Sequence, residues 1–190
     1  MHFVPLKSET LAATQRLAAE LFPSEREHQL ALAAALAPAE YGRFYGERGL
    51  ASVRFWTAVH PHTGEVGGLA GVYGYEAEPA ELWLAWFGLR AEARGHGRGA
   101  ALLDGIIGLA RAENRRVLRL WTTDESEYAR ALQLYAARGF TAEPWPALPG
   151  ETWGTLVLSL GLDGRPAPAW AMRAGKRELC GRELPQLVAA

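Results

Sequence analysis

A glycine-rich segment at residues 94–99, RGHGRG, contains the residue types best suited to holding a ligand. Its glycines alternate with charged or ring-bearing side chains, and glycine lets the backbone adopt positive φ and approach a ligand without a clashing Cβ. The helix predicted directly after the segment would point its free N–H groups and positive dipole end at it. The pattern therefore predicts an anion site suited to a pyrophosphate. The residues assigned to this site are Arg94, Gly95, His96, Gly97, Arg98, Gly99 and Ala100.

Three other interpretations of segment 94–99 compete with this one. A charged surface turn explains the polarity but not the alternate glycines before an amphipathic helix. A dinucleotide fingerprint fits Gly95-x-Gly97-x-x-Ala100 formally, yet residues 90–94 separate the glycines from the preceding strand and no acidic residue closes the next strand. A P-loop would need a Gly-Lys-Ser or Gly-Lys-Thr sequence, which does not follow here.

The elements that must position this segment follow from hydrophobic periodicity. Residues 51–59 alternate between two unlike faces, which predicts a strand, and the next two strands are joined to it by short turns. Ser24, with Glu27 three residues later, has the pattern of a capping box at a helix start. Helices are predicted over residues 9–22, 24–36, 41–48, 99–114 and 127–138, and strands over 2–7, 51–59, 66–75, 81–89, 117–122, 155–160 and from 140 onward.

Composition narrows the class of protein. The chain has 190 residues, 49% of them hydrophobic, which suits one domain with a substantial core. Lys and Arg number 20 against 21 Asp and Glu, so no basic surface for nucleic acid or membrane lipid is predicted. The single cysteine, Cys180, excludes an internal disulfide, and no export signal or membrane-spanning apolar stretch is visible. We expect a soluble cytoplasmic protein with a folded domain at 1–162 and a linker and tail at 163–190.

Segment 94–99 also resembles the acyl-CoA loop of the GNAT superfamily of N-acetyltransferases. That loop has the pattern Gln/Arg-x-x-Gly-x-Gly/Ala, which Arg94, Gly97 and Gly99 match. Residues 134–140, LYAARGF, are similar to a second signature of the family, and the two signatures stand in the family's order. The resemblance covers about residues 51–160. It implies an α/β fold with a mixed, largely antiparallel sheet of six or seven strands and helices on both faces.

The resemblance also implies an activity, namely transfer of an acetyl group from acetyl-CoA to a primary amine of a small molecule or peptide. Backbone groups of Phe87, Gly88 and Leu89 would accompany the pantetheine arm, with the Leu89 N–H polarising the thioester carbonyl. Many relatives carry Asn where this chain has Tyr128. The acceptor stays open, and a homodimer is compatible with the family. The alternatives are a non-catalytic acyl-CoA-binding sensor and a dinucleotide-dependent oxidoreductase.

Candidate catalytic groups follow from the same resemblance. Tyr135 would be the general acid, since a phenol with an ordinary pKa of about 10 carries its proton at neutral pH, and Tyr128 is the alternative. Glu81, at the start of the strand that leads to the thioester, is the candidate base. Its rivals are a water chain and the carboxylates of Glu65, Glu76, Asp124 and Glu125.

Aromatic residues are predicted to line part of the acceptor pocket. Trp145 lies between two prolines in a loop that often contacts the acceptor in relatives. Trp83 and Trp86 fall on opposite faces of a regular strand, so one of the two is expected to face the pocket. The histidines have no spacing that suggests a metal site, and no metal is predicted.

Overall fold

The computed structural model describes residues 1–145 and 152–170 of the chain. Cys180 and the rest of the predicted tail from residue 171 onward lie outside this range. The described strands are β1 (His2–Pro5), β2 (Leu50–Val59), β3 (Val66–Tyr75), β4 (Glu81–Leu89), β5 (Val117–Thr123), β6 (Thr141–Trp145) and β7 (Thr155–Gly161). The described α-helices are α1 (Ser8–Leu21), α2 (Glu27–Leu36), α3 (Gly42–Arg48), α4 (Arg98–Ala112) and α5 (Ala129–Ala136).

The strands form one seven-stranded sheet in the order β1-β2-β3-β4-β5-β7-β6. All neighbouring pairs are antiparallel except β4 and β5, which run parallel. A parallel pair needs a long crossover, and the glycine-rich segment with α4 supplies it. The mixed, largely antiparallel sheet predicted from the sequence is therefore confirmed.

Two hydrophobic cores lie on opposite faces of this sheet. Residues of α1 and α2, such as Leu17 and Leu32, pack against one face. The apolar stripe of α4, including Leu103 and Ile106, packs against the other face together with Tyr135 of α5. Helices thus cover both faces, as the sequence predicts.

Two helix starts differ from the prediction. Helix α2 begins at Glu27, with Arg26 at its N-cap and no capping hydrogen bond from a side chain, so the predicted capping box at Ser24 does not form. Residues 22–26 instead make an irregular connection between α1 and α2. Helix α5 begins at Ala129, after a 3₁₀ turn over Ser126–Tyr128.

A β-bulge in β4 changes which side chains share a face. Gly71 pairs with Ala85 and Leu69 pairs with Gly88, so one extra residue of β4 lies between these two pairs. Trp86 sits in this bulge with φ of 42°, an uncommon value for a residue with a bulky side chain. As a result, Trp83 and Trp86 both pack into the core beneath α1 and α2. The expectation that they face opposite sides was wrong, because it assumed a strand without a bulge.

The described part of the predicted linker packs against the sheet. Trp170 is only 1% exposed, and its ring lies 4.8 Å from the Trp83 ring and 5.8 Å from the Trp145 ring, measured between centroids. Its backbone N–H donates to Glu143 at 2.8 Å. We therefore place the end of the folded unit no earlier than Trp170, eight residues beyond the predicted boundary at 162.

Candidate active site

The sheet opens between β4 and β5. These strands pair at only three positions, where residues 81–83 lie opposite residues 117–119, and then separate. A cleft of about 490 Å³ occupies the gap, lined by residues 84–87 of β4 and 120–123 of β5. The backbone of β4 beyond Trp83 thus has an edge without a β5 partner, and its polar groups can pair with a ligand instead.

Side chains from both faces of the sheet line this cleft. Phe22 and Glu25, from the α1–α2 connection, line it on one side. Tyr135 and Ala131, from α5, line it on the other side. Since the sheet is continuous elsewhere, the opening is the place where a ligand on the α4–α5 face can meet a ligand on the α1–α2 face.

The glycine-rich segment forms a left-handed turn at the start of α4. Gly95, His96 and Gly97 all have positive φ, at 84°, 52° and 72°. No heavy atom lies within 4 Å of a Cβ built on Gly95 or Gly97, so the outer surface of the turn is open. Sequence reasoning expected this conformation at all three glycines. Gly99 instead lies in the first turn of α4, and His96 adopts positive φ between Gly95 and Gly97.

Free hydrogen-bond donors collect at this turn. The N–H of Arg98 donates to Gly95 and that of Ala101 to Gly97. Within the described residues, no acceptor is found for the N–H groups of Gly99 and Ala100, which belong to the first turn of α4. Free N–H groups at the start of a fifteen-residue helix make a site for an anion.

Two arginines add positive charge to the turn. Arg94 Nε donates to the Leu89 carbonyl at 2.9 Å, and an Arg98 guanidinium nitrogen lies 3.3 Å from the Ala93 carbonyl. Both guanidinium groups are therefore held by backbone carbonyls, and neither has a carboxylate partner among the residues that the structure describes. Arg90, by contrast, pairs with Glu20 and Glu65.

The three residues predicted beside the pantetheine arm do not all reach the cleft. Phe87 lines it. Gly88 and Leu89 lie further along β4, opposite Leu69 and Gly68. A Cβ on Gly88 would come within 3.0 Å of the Leu21 side chain, so glycine there lets the end of α1 approach the strand.

Tyr135 lines the cleft from within the core on the α4–α5 face. It is 5% exposed, and its ring lies 6.2 Å from the Phe87 ring and 5.7 Å from the Phe140 ring. Its hydroxyl has no hydrogen-bond partner among the described residues. Burial raises the pKa of the Tyr135 phenol above its ordinary value, so the phenol keeps its proton at neutral pH.

Tyr128 lies at the acidic mouth of the same cleft. Partial burial, followed by the nearby carboxylates of Glu127, Glu25 and Glu125, raises the pKa of Tyr128 to about 12. Its hydroxyl is therefore protonated at neutral pH, as that of Tyr135 is. The structure brings both tyrosines predicted as acids to one cleft.

The predicted base, Glu81, lies elsewhere. Its side chain is buried at the paired end of β4 and β5, where Arg119 Nε donates to Oε2 at 3.0 Å and a second Arg119 nitrogen donates to Oε1 at 3.1 Å. Glu81 does not line the cleft. We therefore withdraw it as the base, because a carboxylate held in a buried bidentate ion pair cannot reach an acceptor in the cleft.

Glu25 is a carboxylate in the cleft that sequence reasoning missed. The Trp86 indole N–H donates to its Oε2 at 2.6 Å. Burial raises the pKa of Glu25 above its ordinary value, with the charge of Glu27 adding to the effect and the Trp86 hydrogen bond opposing it. A carboxylate with a raised pKa is a stronger base than an exposed one.

The aromatic lining also differs from the prediction. Trp86 lines the cleft, but Trp83 and Trp145 do not, since both rings pack on Trp170. Trp121 and Trp153, which were not singled out from the sequence, contribute the other indole rings. Trp153 is 40% exposed, so it lies at the entrance.

Comparison with known proteins agrees with this geometry. Residues 14–140 match the model of the acetyltransferase (GNAT) family. A search of curated protein sequences found no significant match. The family match decides against the dinucleotide-dependent oxidoreductase that segment 94–99 formally allowed.

Several solved structures share the fold. An acetyltransferase of the GNAT family from Staphylococcus aureus has a TM-score of 0.63 at 16% identity, covering 85% of this chain and 98% of that one. Arabidopsis thaliana NAA60 in complex with acetyl-CoA has a TM-score of 0.64 at 14% identity, covering 86% and 99%. A ribosomal-protein-alanine N-acetyltransferase from Brucella melitensis has a TM-score of 0.57 at 19% identity, covering 85% and 100%.

Residues 1–145 and 152–170 contain no helix with the length and apolar character needed to cross a bilayer. They also contain no group of three or more His, Cys, Asp or Glu side chains arranged to hold a metal ion.

Proposed function

We propose that this chain, which belongs to the GNAT acetyltransferase family, transfers an acetyl group from acetyl-CoA directly to a primary amine of a small molecule or peptide. The observation that carries the proposal is the opening between β4 and β5. It connects the face that bears the anion-binding turn with the face that bears Glu25. A thioester and an amine that enter from opposite faces can meet there in one plane, which is the proximity that acyl transfer needs.

The turn at residues 94–99 fits the pyrophosphate of coenzyme A. Its outer surface is open, and the free N–H groups of Gly99 and Ala100 belong to the positive end of α4. The guanidinium groups of Arg94 and Arg98 stand beside it without a carboxylate partner among the described residues. From this turn, the unpaired edge of β4 leads into the cleft and would receive the polar groups of the pantetheine arm.

Direct transfer is supported by the composition of the cleft. An acyl-enzyme route needs a nucleophile activated by a neighbouring base, most often cysteine or serine with histidine. The described lining contains neither cysteine nor histidine. Tyr135, which lines the cleft and keeps its proton at neutral pH, would give that proton to the departing thiolate.

Turnover of acetyl-CoA by the full chain tests this proposal. Thiol release would be followed with a panel of primary amines and short peptides, and the products would be identified by mass spectrometry. Amine-dependent thiol release together with an acetylated product is the expected result. Coenzyme A binding without product formation across the panel would instead favour an acyl-CoA sensor.

Gly97→Val is expected to weaken coenzyme A binding about 10–100-fold. The branched Cβ would stand where the backbone must approach the phosphates, and loss of one hydrogen bond to a charged group costs about 1.5–3 kcal/mol. Calorimetric titration of coenzyme A measures the effect. Gly64→Val is the matched control, because Gly64 has the same φ of 72° and equally open surroundings in the turn between β2 and β3. Equal affinity for both variants would contradict the loop assignment.

A further inference from the structure

Glu25 lies between helices α1 and α2, and its side chain is partly buried. It belongs to the irregular connection after α1, yet its side chain reaches across to β4 and lines the cleft. The hydrogen bond from Trp86 Nε1 fixes Oε2. Its other oxygen, Oε1, accepts no hydrogen bond from the described residues. The side chain is thus anchored by one oxygen and has one oxygen left for a ligand.

The anchor of Glu25 is itself rigid. Trp86 lies in the β4 bulge with positive φ, a conformation that persists only when the surroundings hold it. Its ring stacks on Phe55 at 5.9 Å with planes 21° apart, and the edge of the His28 ring meets it at 6.4 Å. The bulge therefore turns the indole N–H toward the α1–α2 connection and positions a carboxylate beside the opening in the sheet.

The surroundings of Glu25 carry negative charge. Among the described residues that line the cleft, the other carboxylates are those of Glu27, Glu125 and Glu127, and the single cationic side chain is that of Arg26. The charges of Glu127, Glu25 and Glu125 act on the mouth of the cleft, since they contribute to the raised pKa of Tyr128. Such a cleft favours a cation over an anion or a neutral ligand.

Glu25 differs from the other three carboxylates in its contacts. Glu27 is paired with Arg48 of α3. Glu125 accepts from the Thr123 hydroxyl at 2.8 Å and is exposed, and Glu127 is exposed as well. Glu25 is partly buried, accepts a hydrogen bond from Trp86 of β4 and has no cationic partner among the described residues.

We infer that the acceptor is a cationic alkylamine, and that Glu25 binds its ammonium group and removes the proton that blocks attack. The inference rests on the proposed acetyl transfer and names the substrate class of that same cleft. Trp86, Trp121 and Trp153 also line the cleft, and a cation is attracted to the face of an indole ring.

Acetyl transfer removes two protons from the ammonium nitrogen of the acceptor. One proton of the ammonium nitrogen passes to Oε1 of Glu25, and the freed lone pair forms the bond to the thioester carbonyl carbon. The carbon–sulfur bond breaks, and its electron pair takes a proton from the Tyr135 hydroxyl. A second proton of the nitrogen passes through solvent to the Tyr135 oxygen, and Glu25 releases its proton to solvent. Ammonium and acetyl-CoA thus give an acetamide, the coenzyme A thiol and one proton.

The test compares acceptors that do and do not need a base. Glu25→Gln keeps the size of the side chain and an oxygen for the Trp86 N–H. The probes are 1,4-diaminobutane and a tripeptide with a free N-terminus, which are cationic at neutral pH, and semicarbazide, which is neutral there. With the cationic probes we expect kcat/KM to fall about 10²–10⁴-fold, the usual contribution of a general base. With semicarbazide we expect a fall of less than about tenfold, since its nitrogen already has a free lone pair.

Two control measurements distinguish a catalytic role of Glu25 from a structural one. Glu40→Gln removes the same charge from the exposed surface outside the cleft and should leave both kinds of probe unaffected. Thermal unfolding of Glu25→Gln should occur at the wild-type temperature or above it. The raised pKa means that the fold favours the neutral carboxyl, so ionised Glu25 destabilises the folded state at neutral pH, and a neutral amide removes that cost.

Each outcome has one meaning. An equal loss with cationic and neutral probes, or no loss with either, overturns the assignment of Glu25 while acetyl transfer stands. Wild-type transfer to semicarbazide but to neither cationic probe overturns the substrate class. Wild-type failure to acetylate any of the three probes or any amine of the wider panel removes the proposed function on which the inference rests.

Discussion

Tyr135→Phe should lower kcat about 10²–10⁴-fold and leave the affinity for coenzyme A nearly unchanged. The substitution removes one hydroxyl and keeps the ring that packs on Phe87 and Phe140. General acid catalysis is worth about this factor, because an unprotonated thiolate is a poor leaving group. Single-turnover thiol release measures the chemical step, and calorimetry measures coenzyme A binding.

Tyr135→Phe also distinguishes a catalytic role of the Tyr135 hydroxyl from a structural one. A structural hydroxyl would contribute about 1 kcal/mol through its hydrogen bond and nothing to kcat. No such bond is found for Tyr135 within the described residues, so the free energy of unfolding should change little. Full kcat in Tyr135→Phe with loss in Tyr128→Phe would move the acid role to Tyr128. Full kcat in both variants would mean that water protonates the thiolate.

The pH dependence follows from the direction of the pKa shift. Burial raises the pKa of Tyr135, and an acid must be protonated to act. The kcat of the wild type should therefore show no loss from this group as the pH rises to the ordinary phenol pKa of about 10. A decline of kcat well below that pH, absent from Tyr135→Phe, would contradict the burial that the structure describes.

The glycine-rich turn at residues 94–99 and the order of the elements were predictable because their signals are local. Alternate glycines, an amphipathic stripe and period-two strands each occupy a short window, and the structure places β2, β3 and β4 within one residue of the predicted ranges. The parallel pairing of β4 with β5 follows from the crossover formed by the turn and α4. Each of these patterns is carried by several residues, so a single unusual residue does not hide it.

The side of the cleft formed by the α1–α2 connection could not be predicted, because it depends on contacts far apart in sequence. Trp86 and Glu25 are 61 residues apart, and the extra residue that turns Trp86 toward Glu25 leaves no mark in the sequence of β4. The choice of Glu81 as base failed for the same reason. Its partner, Arg119, lies on the next strand of the sheet, and the sequence gives no sign that the two face each other.

The pair formed by Glu81 and Arg119 supports the sheet at the closed end of the cleft. Arg119 is fully buried, and besides Glu81 it donates to the Ser159 hydroxyl on β7 and to the Pro168 carbonyl at 2.8 Å. Its guanidinium carbon lies 5.5 Å from the centre of the Trp170 ring. One side chain therefore ties together β4, β5, β7 and the segment that follows β7.

Glu81→Leu should lower the free energy of unfolding by about 3–5 kcal/mol, since it leaves a buried guanidinium without its counter-charge. The double variant Glu81→Leu/Arg119→Met should be less destabilised than the single one, because no unpaired charge remains. Urea unfolding of the full chain measures both. At temperatures where the single variant stays folded, its kcat should be close to that of the wild type, because Glu81 does not line the cleft. Wild-type stability combined with a loss of kcat as large as that of Glu25→Gln would instead return Glu81 to the role of base, and the position of the buried pair would then be wrong.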